Sequence, residues 1–521
     1  MAGMPHLTDL GAWASTVDAI PDDVRRAARA QMLDMVAAAH ATARTGIAKP
    51  IVEAVAAMAS PGRATSLADG ARLAPVDAAI VNTAFSMAHD YDDIVWMGHT
   101  CHSAVFAALA AGEHLGSTAA EVVDAVVVAN EIAGRLGASS LLGPLNGQMW
   151  TFIHLVGAAA AGARLLRLDA ERTTHALAIA LAQPNFALQP GFLRPTSKLL
   201  AAATPTATGL RAAFFAQAGM TGAPEILEDP RGFWTRFSFL PLPGMLGDLG
   251  ELWVLRTLAI KTYPGCHYFQ TALAAVERIL ARRPSLPRSS VRRVRVDTTK
   301  LGCEATRFAG EYVAGGDWTA VSVNFDLGHS VAVMLHARQL GVDQLEEPWL
   351  RANGAELRAW GDLIEVRHDP ALTARTIACA GHIGAGRAAL RSLRAGELAR
   401  LVRRYRLEYR SSLASPSEVV GLVRALSRRR RRAGPRPAGH AVALDFPNRV
   451  TIDGVDGTRD EELVDTPPGA LASPDFEREV EAKATRELSS RLGEARTRVA
   501  IERTWAAAGE PVSALAATWL A

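Results

Sequence analysis

Residues 20–39 read IPDDVRRAARAQMLDMVAAA, and this stretch decides the fold class. Pro21 stands where the first turn of a helix tolerates proline, and the acidic pair after it, Asp22 and Asp23, suits the positive end of a helix dipole. Apolar side chains then recur at the spacing of one helix face: Val24, Ala28, Met32, Met35 and Val36. The pattern predicts an α-helix over residues 18–43.

The same helical spacing returns along the first half of the chain, interrupted by short breaks of Gly, Pro or Ser. Alanine, which loses no side-chain entropy in a helix, is abundant in these segments. Further helices are predicted at 50–59, 75–88, 103–114, 119–137, 153–166, 170–182 and 207–219. We therefore predict a mainly α protein, with one large all-α helical domain over residues 1–275.

The pattern changes near residue 285, where prolines and serines precede alternating runs that are typical of strands. Strands are predicted at 291–299 (VRRVRVDTT), 322–327 (SVNFDL), 363–369 (LIEVRHD) and 449–454 (RVTIDG), the last ending in a turn-forming Asp-Gly. Residues 276–472 are therefore predicted to form a smaller α+β lid domain. From Pro474 the helical spacing resumes, which predicts a C-terminal helical segment, 473–521, that packs back on the helical domain.

Composition and charge exclude several classes of protein. With 521 residues the chain is too long for a single core, and its net charge of +3 and aromatic content of 6% do not indicate a nucleic-acid partner. No apolar stretch is long enough to span a bilayer, and the first residues lack a signal-peptide pattern. The cysteines have no CxxC pairing, which suits a reducing cytoplasm: Cys101, Cys266, Cys303 and Cys379.

An Arg-rich insertion over residues 385–438 ends in the run Arg428–Arg432 followed by AGPRPAG. One interpretation is a basic arm for RNA or an acidic partner. The other, which the low aromatic content favours, is a solvated helix and loop inserted into the second domain.

Several blocks, in order, resemble the MmgE/PrpD family over nearly the whole chain apart from this insertion. They are the opening helix at 20–39, AHDYDD (88–93), HSAVFAALAAGE (102–113), GAAAAGARLLRLD (157–169), the stretch from PTSK to RGFW (195–234), IKTYPGCHYFQTAL (260–273), FDLGHSVAVML (325–335) and RVTIDGVDG (449–457). The resemblance implies a helical domain with an α+β lid, a homodimer, and no metal or organic cofactor. Members include dehydratases, decarboxylases and epimerases that form or quench a carbanion beside a carboxylate.

By the same resemblance, Asp90, His102, Lys198 and Lys261 match active-site residues of the family. An imidazole can move a proton near neutral pH, and an ammonium stabilises a carboxylate and the enolate-like charge that develops from it. Three carboxylates within four residues, at 90, 92 and 93, cannot all ionise cheaply if enclosed, which predicts a raised pKa for one of them. His99 and His102 with two of these aspartates could also hold zinc, iron or manganese, but no tight ligand motif such as HExxH is present, and we predict no metal.

The chain departs from the family pattern at several positions. Ile94 replaces a threonine, Ser103 replaces a proline, and Gln148 stands where a histidine precedes the GAAAA helix, with His154 further on. His329 takes the place of a lid tyrosine and is predicted to be catalytic, because a histidine titrates near neutrality. After Lys261 come Cys266, His267 and Gln270. Gln148, His154, Cys266 and His267 are predicted substrate contacts, although each histidine could instead be structural.

These residues predict a cytoplasmic enzyme acting on a small carboxylated metabolite, with its site between the helical domain and the lid. The favoured reaction is proton abstraction with elimination, as in a dehydratase. Isomerisation or epimerisation, decarboxylation, and a non-catalytic binding role remain alternatives. The departures favour a diverged member in a specialised pathway.

Overall fold

The computed structural model describes residues 6–96, 98–144, 151–313, 316, 318–380, 395–409 and 441–520. Gln148 and most of the Arg-rich insertion lie outside these residues, so the predictions made for them stay predictions. Within the described residues the chain is mainly helical with a few small sheets, as predicted.

The first part of the chain is a packed group of helices. They are α1 (His6–Thr16), α2 (Asp22–Ala43), α3 (Lys49–Ala56), α4 (Pro75–Met87), α5 (Cys101–Leu115), α6 (Ala119–Ser139), α7 (Thr151–Leu165), α8 (Ala170–Ala182), α9 (Gln189–Phe192), α10 (Leu200–Gln217) and α11 (Phe233–Phe237). Short antiparallel pairs accompany them: β1 (Pro61–Thr65) with β2 (Arg72–Leu73), and β3 (Asp93–Ile94) with β4 (Ala259–Ile260).

Small residues let α7 and α10 approach closely at the centre of this group. A Cβ at Gly209 of α10 would lie 2.0 Å from the Leu155 carbonyl oxygen of α7, so only glycine fits there. Helix α10 begins at Leu200 and carries Pro205 inside it, whereas the predicted helix began at 207. Pro205 has no N–H to donate to the Ala201 carbonyl, and the helix continues through it without that hydrogen bond.

The second part combines helices with a four-stranded sheet. Its elements are α12 (Gln270–Arg282), β5 (Val291–Thr298), α13 (Lys300–Val313), α14 (Ala320–Val323), α15 (Leu327–Ala337), α16 (Glu347–Gly361), β6 (Ile364–His368), α17 (Pro370–Ala380), α18 (Ala395–Tyr409), β7 (Asn448–Gly454) and β8 (Arg459–Val464). The strand order is β6-β5-β7-β8, with β5 and β6 parallel and the other pairs antiparallel. Alternation buries Val294, Val296 and Val450 on the face that α12 and α15 cover.

Two details of the predicted strands are wrong. SVNFDL at 322–327 is not a strand, because the Thr319 side chain caps α14 and the Asp326 side chain caps α15, which makes the segment a turn between two helices. The Asp-Gly at 453–454 ends β7 without forming the turn, which follows at 455–458 with Gly457 at φ +84°.

The chain ends in α19 (Phe476–Leu492), α20 (Glu494–Trp505) and α21 (Val512–Ala517). Helix α19 packs against α2 through an ion pair at each end of their contact, Arg26–Glu477 at 2.5 Å and Arg44–Glu487 at 2.5 Å. The division of the chain into units 1–275, 276–472 and 473–521 stays a prediction.

Helix α18 is the described part of the Arg-rich insertion, and it lies against the first helices. The Tyr405 hydroxyl donates to the Gly143 carbonyl at 2.6 Å, and the Arg404 guanidinium lies 4.0 Å from the centre of the Phe239 ring. This helix is therefore packed on the protein as well as solvated. Among the described helices, none combines the length and the apolar character needed to cross a bilayer.

Candidate active site

The site is built around the loop between α4 and α5. The pairing of β3 with β4 sets Asp93 opposite Ile260, so the next residue, Lys261, lies beside the loop and its backbone N–H donates to the Asp92 carbonyl at 3.0 Å. Asp90 adopts the left-handed conformation, with φ +50°, which is uncommon for a residue other than glycine. Uncommon backbone geometry of this kind concentrates at functional sites.

Asp90 forms a fully buried ion pair with Lys198, which lies in the 3₁₀ turn Thr196–Leu199 just before α10. The Asn324 side-chain amide donates to the same Asp90 oxygen at 3.0 Å, while Asp90 Oδ1 has no hydrogen-bond partner within the described chain. Burial lowers the pKa of Lys198, and the Asp90 carboxylate offsets part of that effect. The sequence pattern predicts a strand over 322–327 and gives no sign that Asn324 reaches the site.

Asp92 forms a second buried ion pair, with Lys261, at 2.5 Å. The Lys261 ammonium also donates to the Asp90 carbonyl at 2.8 Å, and His99 Nδ1 lies 2.6 Å from the other Asp92 oxygen. Burial raises the pKa of Asp92, but Lys261 and His99 outweigh burial and hold the pKa well below its usual range. Burial lowers the pKa of Lys261, but the Asp92 carboxylate outweighs burial, so the pKa of Lys261 is raised.

The prediction that one of the three neighbouring carboxyl groups has a raised pKa is confirmed, and the group is Asp93. Burial, Asp34 and Asp92 together raise the pKa of Asp93 well above its usual value. Asp93 Oδ1 accepts a hydrogen bond from the Gln31 amide at 3.1 Å. Asp93 therefore holds a proton more readily than the adjacent Asp92.

His102 lies at the start of α5, fully buried, with Nε2 at 3.3 Å from Asp92 Oδ2 and Nδ1 at 2.8 Å from Ser86 Oγ. The Ser86 hydroxyl also lies 2.8 Å from the Thr83 carbonyl, so it can donate either to that carbonyl or to Nδ1. The Asp92 carboxylate can only accept, so it favours a proton on Nε2 of the imidazole. Burial lowers the pKa of His102, and Asp92 offsets only part of the effect.

His154, on α7, lies next to His102, with ring centres 5.7 Å apart. Burial, together with His102 and His99, holds the pKa of His154 well below its usual value. Its Nδ1 is 3.4 Å from the Ser103 hydroxyl, the position where the family has a proline. The structure thus brings His154 to the predicted site as a second neutral imidazole.

The segment after Lys261 brings Cys266 and His267 close to the same cluster. The Cys266 N–H donates to the Asn324 carbonyl at 2.9 Å, and burial raises the pKa of its thiol to about 12. Burial, followed by the charge of Lys261, holds the pKa of His267 well below its usual value. Gln270 is structural: its side chain accepts from the Tyr263 N–H at 3.1 Å and donates to the Tyr263 carbonyl at 2.9 Å, which fixes this loop.

His329 lies on the first turn of α15, and burial lowers its pKa to about 4. Its ring packs edge-on against Trp318, with centres 4.6 Å apart. Within the described part of the chain, no hydrogen bond or ring contact joins it to Asp90 or His102. The predicted catalytic role of His329 stays a prediction, as does the role of Gln148 outside the described residues.

Asp92, Cys101 and His102 offer ligand atoms within 4.8 Å of one another, so they were tested as a metal site. Asp92 is already bound by the Lys261 ammonium and by His99. Burial and the carboxylates of Asp93 and Asp92 raise the pKa of Cys101 well above its usual value, which disfavours the thiolate that a metal needs. These residues fit a metal poorly.

The cluster therefore combines two buried ammonium groups, Lys198 and Lys261, with two imidazoles that are neutral at neutral pH, His102 and His154. Ammonium groups in a site shielded from water bind a carboxylate and stabilise negative charge that develops beside it. A neutral imidazole with a free lone pair can accept a proton. The four named side chains are at most 1% exposed, whereas 12% of the His99 side chain remains exposed, so His99 marks the side of the cluster nearest to solvent.

Comparison with known proteins gives one matching family domain and two similar enzymes. Residues 9–241 match the MmgE/PrpD N-terminal domain, a stretch that contains Asp90, His102, His154 and Lys198. The chain is 26% identical over 359 residues to the cis-aconitate decarboxylase of Aspergillus terreus and likewise to that of A. terreus strain NIH 2624 / FGSC A1156. Each match covers 64% of this chain and 72% of the relative.

These relatives support a dehydratase- or decarboxylase-like function. The matched domain and the relatives, together with the order of the sequence blocks, support the MmgE/PrpD family for this chain.

Proposed function

We propose that this chain is a cofactor-independent lyase that removes a proton next to a carboxylate of a small metabolite and eliminates a leaving group, as a dehydratase does. The observation that carries the proposal is the buried imidazole of His102, 3.3 Å from the Asp92 carboxylate and set in one cluster with two buried ammonium groups. The proposal includes a specialised pathway, because Ser103 and Gln270 depart from the family pattern.

In the proposed mechanism His102 is the base. Its imidazole takes the proton from the substrate carbon, and the imidazolium that forms is stabilised by Asp92 Oδ2, 3.3 Å from Nε2. Ser86 Oγ, 2.8 Å from Nδ1, holds the ring in place. General-base catalysis of this kind contributes about 10²- to 10⁴-fold in rate.

The two lysines bind the substrate carboxylate and stabilise the enolate-like charge. Lys198 is the candidate proton donor to the leaving group, because its buried ammonium gives up a proton more readily than an ordinary lysine. In a dehydration the substrate loses one proton to His102 and a hydroxide that leaves as water with the proton from Lys198. Asp90 holds Lys198 in place before substrate binds.

Decarboxylation is the second candidate function, and the relatives named cis-aconitate decarboxylase favour it. In that reaction CO2 leaves, and the carbanion takes a proton from His102 in its imidazolium form. Release of CO2 without a new double bond would separate this reaction from elimination. Uptake of solvent deuterium with no loss of mass would instead indicate isomerisation or epimerisation.

The test is proton NMR of the purified protein in D2O with 2- and 3-hydroxy acids, citrate analogues and cis-aconitate. We expect deuterium uptake, a new vinyl signal or loss of a carboxylate, and a rate reduced at least about 100-fold in His102→Asn. His114→Asn is the matched control, since His114 lies on the same helix but is exposed. Equal rates in the two variants would refute the role of His102, and turnover that survives Lys198→Ala would refute the role of Lys198.

We further propose that the protein is a cytoplasmic homodimer. The dimer rests on the family resemblance, and the compartment is supported by the four cysteines, which form no disulfide among the described residues and of which three are buried. Light scattering of the purified protein would give a mass near twice 55.3 kDa if the dimer forms, and a mass of one chain would refute it.

A further inference from the structure

Five successive backbone carbonyls, from His89 to Asp93, each accept a hydrogen bond from outside the loop or from its far end. The donors lie on different parts of the chain: Gly265 N–H to His89 (3.1 Å) and Asp90 (3.2 Å), Lys261 ammonium to Asp90 (2.8 Å), Lys483 ammonium to Tyr91 (2.6 Å), Lys261 N–H to Asp92 (3.0 Å) and His99 Nδ1 to Asp93 (2.8 Å). Every backbone carbonyl from 89 to 93, in the loop that carries Asp90 and Asp92, is therefore fixed by a hydrogen bond. Of these donors, Lys483 is the one supplied by the C-terminal helix α19.

Lys483 is completely enclosed, with 1% of its side chain exposed. Besides the Tyr91 carbonyl, its ammonium lies 2.6 Å from Asp34 Oδ1 on α2 and 3.8 Å from the centre of the Tyr91 ring. The neighbouring Arg486 donates to the Tyr91 hydroxyl. Helix α19 therefore contacts Tyr91 at its backbone carbonyl, its ring and its hydroxyl.

The position of Tyr91 explains how these contacts affect the active site. Its carbonyl belongs to the peptide plane between Tyr91 and Asp92, so the donor to that carbonyl sets where the Asp92 side chain leaves the backbone. On the other side, Asp90 is held at φ +50°, a conformation that costs of order 1 kcal/mol or more for a residue with a side chain. Such a conformation persists only when its surroundings fix it.

We propose that Lys483 is a positioning residue of the active site: its ammonium fixes the Tyr91–Asp92 peptide plane and thereby holds Asp92 against His102 and Lys261. The inference rests on the proposed function, because it assigns Lys483 to the same reaction. Lys483 comes from the C-terminal helix and, among the described contacts, touches neither His102 nor His154.

A purely structural role for Lys483 is the competing explanation, since the ammonium also neutralises buried Asp34. The two roles separate in the double variant Lys483→Met/Asp34→Asn, which removes both buried charges and so avoids an unpaired one. If Lys483 acts only as the partner of Asp34, stability and turnover should recover together. If Lys483 positions the loop, stability should recover while turnover stays low.

We expect the thermal midpoint of the double variant to lie above that of Lys483→Met, with kcat reduced about 10- to 100-fold in both, because a misplaced group costs on the order of 100-fold. The acid limb of the kcat/KM profile should also move to lower pH in Lys483→Met, since Asp92 withdrawn from His102 stabilises the imidazolium less. A smaller folded fraction would lower kcat without moving that limb. Arg478→Met is the matched control on the same helix, since 69% of the Arg478 side chain is exposed. This variant should have the same kcat and the same acid limb of the kcat/KM profile as the unmodified protein.

Recovery of kcat together with stability in the double variant would overturn the proposal, as would an unmoved acid limb in Lys483→Met. A crystal structure of Lys483→Met gives a readout independent of turnover. We expect the Tyr91 carbonyl to rotate and Asp92 to move away from His102; an unchanged loop would overturn the proposal even if no substrate is ever found. Failure of the proposed lyase activity would instead appear as absence of turnover in the unmodified protein.

Discussion

The Asp92–Lys261 pair gives a measurable prediction about stability. In Lys261→Met the Asp92 carboxylate stays fully buried but loses the ammonium that lies 2.5 Å from it. Removing one partner of a buried ion pair costs about 3–5 kcal/mol, because the other charge is left uncompensated. The Asp90 carbonyl, which also loses the ammonium, keeps the Gly265 N–H at 3.2 Å, so this second loss adds little.

For a unit of this size about 1 kcal/mol corresponds to about 2 °C in the thermal midpoint, so the expected shift is about 6–10 °C at pH 7.5. Differential scanning calorimetry of the first unfolding transition measures it. The pKa of Asp92 is lowered from 3.8 in the folded protein, so the stability it supplies is present above about pH 4 and is lost as the pH falls below that value. The difference between the two proteins should therefore shrink towards pH 3.5.

Two further variants make the stability experiment decisive. Lys49→Met removes a lysine that is 74% exposed and pairs with Glu53 at 3.7 Å, and exposed pairs of this kind contribute about 0.5 kcal/mol, so its midpoint should change by about 1 °C. Lys261→Met/Asp92→Asn removes both buried charges and should recover most of the loss. If Lys261→Met and Lys49→Met shift the midpoint equally, the reasoning about the buried pair is refuted.

Three other changes test single features of the site. Relative to the unmodified protein, Asp93→Asn should gain in thermal midpoint as the pH rises above about 4, because a carboxyl group whose folded pKa is raised costs the fold stability above its unfolded pKa of 3.8; a midpoint difference that stays constant as the pH rises from about 4 to about 7.5 would contradict this. Gly265→Ala should cost about 1–3 kcal/mol in urea unfolding, because Gly265 has φ +112° and a Cβ would lie 3.2 Å from the Asn324 carbonyl; an unchanged midpoint would count against strain there. His329→Phe should lower kcat less than fivefold, since the described contacts of its ring are to Trp318, and a 100-fold loss would restore its predicted catalytic role.

Much of the fold was predictable because it follows from local patterns. Helical spacing predicted most helices of the first part, and alternation predicted β5, β6 and β7. The failures have local causes as well. SVNFDL alternates like a strand, but side-chain caps at Thr319 and Asp326 turn it into the join between two helices.

The sequence by itself determined the helical class, the resemblance to the MmgE/PrpD family, and the residue types of the candidate site at Asp90, His102, Lys198 and Lys261, because periodicity and ordered motifs are properties of the chain alone. Only the tertiary structure decided which residues meet. Asn324 and Lys483 reach the loop from 234 and 392 positions away along the chain, distances at which spacing carries no information about contact. Burial, which also exists only in the folded chain, then shifts the pKa of each group: it lowers the pKa of His102 and raises that of Asp93, while Lys261 and His99 hold the pKa of Asp92 below its usual value.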